Sequence, residues 1–276
     1  MRLLTLNTHS LLEENYGQKL KEFITAVTRE LPDVIALQEV NQRQDATIVS
    51  RNRLEGYVSC EPSATVREGN HALAVAEGLR ASEIMYHWTW LPVKKGYGQY
   101  DEGVAVMSRS PIVGTDAVTV SHTADPMNWK TRKLLGIRTE AAPEDWFYSV
   151  HFGWWADADE PFAHQWRRAE AHLNGRRRVW LLGDFNNPAH LRGEGYDLIS
   201  MSGWRDTFAE AAVRDDGVTV ARAIDGWSER AHASDGLRID QIWCNHPQSI
   251  RSSQVIFNGK NAPVVSDHFG VMIETE

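Results

Sequence analysis

A set of polar residues stands where short apolar runs end: Asn7, Glu39, His151, Asp184 with Asn186, Asp240, and Asp267 with His268. The ends of a rigid sheet are places where side chains from distant parts of a chain meet at one cleft. The inventory is carboxylates, carboxamides and imidazoles, with no thiol. Oxygen donors without sulfur suit a hard cation, Mg2+ or Mn2+, and the imidazoles are left for proton transfer or contact with phosphate. Singly, each residue has an ordinary structural reading. An acid after a strand is often a turn former or a helix cap, Asp240 can pair with Arg238, and His151 or His268 can be a satisfied core histidine.

A second group lies in expected loops beside these ends: Trp129-Lys130-Thr131-Arg132-Lys133, Gly153-Trp154-Trp155, and the Gly/Tyr stretch 96–101. Tryptophan faces pack on sugar rings or bases, and Lys130, Arg132 and Lys133 offer charge-assisted donors to a phosphate. The structural alternative is that Trp154 and Trp155 cap a sheet edge and the basic run is a solvated strand end. A formal net charge of −8 argues against tight non-specific binding to nucleic acid or an anionic membrane, although a bound divalent metal inverts charge locally. Other chemistries lack their motifs. There is no GxSxG, GxxxxGK[ST] or HExxH pattern, and Gly96-Tyr97-Gly98 is not completed to GxGxxG. Cys60 and Cys244 have no zinc spacing and read as reduced thiols. No apolar run approaches the roughly 18 residues of a membrane span, and the N-terminal run turns polar at Asn7, so a cytoplasmic protein is expected.

The elements that must position these residues follow from periodicity. Residues 2–7 read as a strand, and 17–31 as a helix with Leu20, Phe23, Ile24, Val27 and Leu31 on one face, stopped by Pro32. Residues 33–38 form an apolar run too short for a helix, hence a buried strand ending at Glu39. Between 41 and 103 the pattern weakens to a helical piece at 71–78 and the Gly/Tyr loop. Strands are expected at 103–107, 112–120, 134–139 and 146–152, and a run of consecutive strands favours antiparallel pairing. A helix over 160–173 feeds a strand at 179–182, and the last strands are 239–244, 254–257 and 270–274. No repeat or linker divides the chain, which reads as one α/β domain, 1–276, with sheets face to face and helices outside.

In order, the segments Thr5-Leu6-Asn7, Leu37-Gln38-Glu39-Val40, Gly103-Val104-Ala105-Val106-Met107-Ser108, Ser149-Val150-His151, Gly183-Asp184-Phe185-Asn186, Arg238-Ile239-Asp240 and Ser266-Asp267-His268 resemble the endonuclease/exonuclease/phosphatase superfamily over essentially the whole chain. The resemblance implies a DNase I-like fold, a four-layered α/β/β/α sandwich of two mixed β-sheets flanked by helices. It also implies a metal-dependent phosphoric ester hydrolase. Carried over by motif, Glu39 and Asn7 hold Mg2+ or Mn2+ with Asp267 on the same side. Asp184 orients or deprotonates the attacking water, Asn186 contacts the phosphate, His268 touches it with Asp240 behind, and His151 serves the leaving group. The stretches 4–10, 128–133 and 151–155 further resemble a bacterial subgroup that includes maltose 6'-phosphate phosphatase. That likeness implies a small phosphorylated sugar as substrate, bound by Trp129, Lys130, Arg132, Trp154 and Trp155. Two other readings stay open: a nuclease or other phosphodiesterase on the same fold, with nucleic acid as partner, and a binding protein that has lost the chemistry. No membrane partner is expected, and the oligomeric state is not readable.

Overall fold

The computed structural model describes residues 1–221, 227 and 236–276. Its strands are β1 (Arg2–Asn7), β2 (Val34–Arg43), β3 (His87–Gly96), β4 (Tyr100–Ser108), β5 (Ile112–Thr119), β6 (Lys133–Thr139), β7 (Asp145–His151), β8 (Arg178–Asp184), β9 (Arg205–Asp206), β10 (Val213–Arg214), β11 (Asp240–Cys244), β12 (Ile250–Ile256) and β13 (Gly270–Thr275). The helices are α1 (Tyr16–Glu30), α2 (His71–Ala81), α3 (Phe162–Leu173), α4 (Gly195–Met201) and α5 (Thr207–Glu210). Two sheets result, ordered β10-β12-β13-β1-β2-β4-β3 and β5-β6-β7-β8-β11-β9. Both are mixed: β1 pairs parallel with β2 and β7 parallel with β8, while β2–β4 and β8–β11 are antiparallel.

Side-chain alternation along the strands sorts the layers. Leu3, Val34, Ala36 and Val106 face inward and pack between the sheets with Ile137, Phe147, Trp180 and Leu182. Leu4, Leu6, Ile35 and Leu37 face the opposite way and are covered by Phe23 and Val27 of α1 and Leu73 and Leu79 of α2. On the far side, Phe162, Trp166, Ala169 and Leu173 of α3 cover Tyr148, Val150, Val179 and Leu181. The result is the expected α/β/β/α sandwich. Among the described residues no helix is long and apolar enough to cross a membrane.

Two features depart from the sequence expectation. The run of strands after residue 103 does not stay in one sheet. β4 belongs to the first sheet and β5 to the second, although β5–β6 and β6–β7 pair antiparallel as expected; β8, beyond that run, joins β7 in parallel across the α3 crossover. The weakly patterned stretch before residue 103 contains a ten-residue strand, β3, with Pro92 inside it. Proline removes a ladder donor, which argues against a central strand. β3 is the edge of its sheet, and its register shifts between Pro92 and Lys94, where such a residue is tolerated.

The apolar filling gives way to a polar seam at one end. There the buried Gln38 accepts from Thr5 Oγ1 at 3.2 Å and donates to Ser149 Oγ at 2.9 Å and to Leu182 O at 3.4 Å. Ser149 Oγ in turn donates to Leu37 O at 2.9 Å. A satisfied buried network of this kind holds its members in a single arrangement, so the two sheets are pinned directly beneath the strand ends that carry the polar residues.

Candidate active site

Parallel pairing brings matching strand ends together. Asn7 lies opposite Gln38, next to Glu39, and His151 lies opposite Asp184. The antiparallel strand β11 starts at the same edge, with Asp240 opposite Asp184. Gly183 makes the close approach of β8 to β7 possible: a Cβ there would stand 1.9 Å from Val150 O. Glu39 sits in a register shift between β2 and β4, at φ 52°, so the local bulge re-aims its side chain. Thr8 Oγ1 donates to Gln38 O and Ser10 Oγ to Glu39 O, each at 2.8 Å, which anchors the bulge.

Asn7 is fully buried, and its Nδ2 donates to Glu39 Oε1 at 3.0 Å and to Asp184 Oδ2 at 3.1 Å. One carboxamide thus joins two carboxylates from different sheets. Asp184 Oδ1 accepts the Asn186 amide at 2.8 Å, and its Oδ2 lies 3.7 Å from His151 Nε2 and 4.0 Å from His268 Nε2. His268 Nδ1 is 2.9 Å from Asp240 Oδ2, so its other nitrogen faces Asp184. The expected alternative for Asp240 does not occur, because Arg238 pairs with Asp206 at 2.7 Å.

These contacts set opposite protonation preferences. Burial, then the charge of Asp240, pushes the Asp184 carboxyl up to about 7 against the favourable pull of His268, Asn186 and Asn7. For His268 burial opposes the charge, but Asp240, through its charge and hydrogen bond, with Asp184 and Asp267, lifts it to about 10. His151 is driven well below its ordinary value by burial and by Arg132, Lys94 and His268. One carboxylate therefore stands between a charged and a neutral imidazole, an arrangement suited to moving protons near neutral pH.

Glu39, His151, Asp184 and His268 line a cleft of about 380 Å³ together with Trp129, Trp154 and Arg132. Trp129 is half exposed, and its ring lies 5.7 Å from that of Trp154. Arg132 is 3% exposed, and among the described residues its guanidinium donates only to the carbonyls of Trp129 and Thr131. Three expected site residues are placed elsewhere. Lys130 is held by Asp157 and Asp159 at 2.8 Å each, outside the cleft lining. Trp155 packs against the apolar cluster under α3. The Asp267 carboxylate lies 4.0 Å from His9, and its amide donates to Glu13 Oε1. Asn186 is in the lining, but its Nδ2 donates to Phe152 O and its Oδ1 accepts from Trp227.

Three further lining residues are not read from the sequence: Lys95, and Lys94 and Glu102, which pair at 3.1 Å across the β3–β4 hairpin. A signal was available, since Lys94-Lys95 and Asp101-Glu102 flank a Gly-Tyr-Gly turn and pair across it, Lys95 with Asp101 and Lys94 with Glu102.

The donor set fits a hard divalent cation. Glu39 and Asp184 supply carboxylate oxygens from one hydrogen-bonded unit. Burial and Glu102 raise Glu39 as burial and Asp240 raise Asp184, so negative charge is in excess where a cation would relieve it. Asp240 Oδ1 is also buried with no hydrogen-bond partner.

Against known proteins, the model of the Endonuclease/Exonuclease/phosphatase family matches residues 4–268. The chain belongs to this family. A solved family protein from Leptotrichia buccalis is 30% identical, with a TM-score of 0.87, over 100% of this chain and 99% of that one. A Bacteroides thetaiotaomicron mannosyl-6-phosphatase shares the fold at 16% identity and TM-score 0.65, covering 100% and 99%. So does a Neisseria 3' phosphatase solved with a product DNA hairpin, at 18% and 0.63, covering 100% and 99%. No curated protein matches the chain by sequence. The family's members are phosphoric ester hydrolases, and the fold supports action on sugar phosphates in one neighbour and on DNA in another.

Proposed function

We propose that the chain, as one domain over 1–276, is a divalent-metal-dependent phosphomonoesterase acting on a small phosphorylated sugar. The observation that carries this reading is Asp184 Oδ2 at 3.7 Å from His151 Nε2 and 4.0 Å from His268 Nε2, in a cleft that the buried Arg132 also lines. Glu39 and Asn7 would hold Mg2+ or Mn2+, with Asp267 adding negative charge nearby through its place beside His9. The cation would neutralise charge on the non-bridging oxygens. Asp184 orients the attacking water and takes its proton, and an acid near pH 7 suits that work. His268, kept charged by Asp240, hydrogen-bonds a non-bridging oxygen, as does Asn186 through its remaining N–H. Neutral His151 stands on the leaving-group side and donates to the departing oxygen. Trp129 and Trp154 offer the flat faces on which a sugar ring packs, and Lys130 Nζ lies 5.4 Å from the centre of the Trp129 ring.

The test is a pair of substrates under added Mg2+ and under EDTA. Turnover should vanish with EDTA and return with Mg2+ or Mn2+. Trp154→Ala should weaken hydrolysis of a sugar phosphate about tenfold or more while sparing an aryl phosphate, whose leaving group needs less positioning. Undiminished turnover by metal-stripped protein, or equal loss on both substrates, would count against the reading.

A further inference from the structure

We infer that Lys94 and Arg132, with Glu102 as the positioning residue of Lys94, form a two-cation subsite that selects a phosphomonoester dianion over a diester. The inference rests on the phosphatase reading, adds Lys94 and Glu102 to it, and gives Arg132 a specific role.

Charge placement is the first argument. Arg132 is buried, and among the described residues its guanidinium bonds only to neutral carbonyls, its Nε has no partner and no carboxylate forms an ion pair with it. The charges of Glu102, Asp184, Glu39 and Asp157 favour the guanidinium from a distance, but burial outweighs them, so an anion bonded to it directly would complete it. Lys94 has one carboxylate partner, Glu102, at 3.1 Å. Lys94 and Arg132 both line the same cleft as Asp184 and His268, whereas Lys95, also in the lining, is paired with Asp101. The mutual effect is visible on Lys94, whose charged form is disfavoured first by burial and then by Arg132.

Rigidity is the second. Lys94 and Glu102 are opposed in register on β3 and β4, so the ammonium is carried by sheet and not by a loop. Gly96 leaves room for the carboxylate, since a Cβ there would stand 2.9 Å from Glu102 Oε2. Arg132 is fixed by Trp129 O at 2.9 Å and Thr131 O at 3.0 Å.

Ligand chemistry follows. Near pH 7 a phosphomonoester carries about −1.5 to −2 and presents three terminal oxygens, whereas a diester carries a single charge and presents two. With His268 on one oxygen, a monoester has further charged oxygens for Lys94 and Arg132, each a charge-assisted donor. A diester would set an ester substituent against one of the two buried cations and leave that cation unpaired.

The experiment measures binding of inorganic phosphate to the Mg2+-loaded protein by calorimetry, beside kcat/KM for p-nitrophenyl phosphate and bis-p-nitrophenyl phosphate. Removing Lys94 alone strands Glu102, so the main variant is Lys94→Met with Glu102→Gln, its folding checked by circular dichroism. Phosphate affinity should fall about tenfold or more and monoester kcat/KM about a hundredfold, with the diester changed by no more than about fivefold. Glu102→Gln alone should raise KM for the monoester with kcat nearly kept; a fall in kcat alone contradicts its positioning role. Unchanged phosphate affinity, or equal loss on both esters, overturns the subsite. If the unaltered protein prefers the diester, the phosphatase reading fails, and the phosphate titration still decides whether the two cations bind an anion.

Discussion

Around Asp184 the protonation of three groups is set by contacts a few ångströms long. Asp184→Asn should lower kcat by about 10²–10⁴-fold with little change in KM, because the lost interaction is made chiefly in the transition state. Activity should rise with pH as Asp184 deprotonates toward 7, the bound cation moving that limb lower, and should fall again as His268 loses its proton toward 10. In Asp240→Asn the anion that raises His268 is gone, so the alkaline limb should move to lower pH; an unmoved limb in the pH profile of kcat would contradict the His268 assignment. At this scale residue types at run ends, read with their motif order, pointed to Asn7, Glu39, His151, Asp184, Asp240 and His268. They did not separate Arg132, turned inward, from Lys130, turned toward Asp157 and Asp159, because adjacent residues on an irregular segment carry no periodicity that says which one is buried.

Strands and helices with a clear period were legible: β1, α1, α3 and β8 lie close to their expected ranges. β3 was hidden by Pro92, and with it the hairpin that supplies Lys94 and Glu102. Sheet membership was also out of reach locally, since β4 and β5 are adjacent in sequence and belong to different sheets. The turn from β8 into the site depends on backbone proximity that only glycine allows. Gly183→Ala would set a Cβ 1.9 Å from Val150 O. It should therefore cost about 1–3 kcal/mol or more of stability as measured by urea unfolding, and should abolish activity by displacing Asp184. A variant as stable as the unaltered chain would show that β7 and β8 have more slack than their geometry implies.

Across the whole molecule, two sheets meet at a polar seam and present carboxylates from both to one cleft. With the cation we propose at this concentration of negative charge, the stability of the fold should depend on metal. A metal that binds the ionised carboxylates stabilises the folded state by mass action. Asp184, raised to about 7, is protonated in the cation-free fold below that pH and must release its proton on metal binding. The gain in Tm on adding Mg2+ should therefore be larger at pH 8 than at pH 6, and a gain that shrinks with rising pH would place the cation away from Asp184. The layered architecture was foreseeable from apolar runs and helix faces, and the loops that carry Trp129, Arg132 and Trp154 from their residue types, whereas the β3–β4 pairing that brings Lys94 and Glu102 into the cleft was not.

The most direct test of the central claim compares kcat/KM, in Mg2+, for a sugar phosphate with that for a DNA substrate or a simple phosphodiester. A preference for the sugar phosphate of about a hundredfold or more, about 2.7 kcal/mol in transition-state terms, is the predicted result. Efficient cleavage of DNA without sugar phosphate turnover would contradict it.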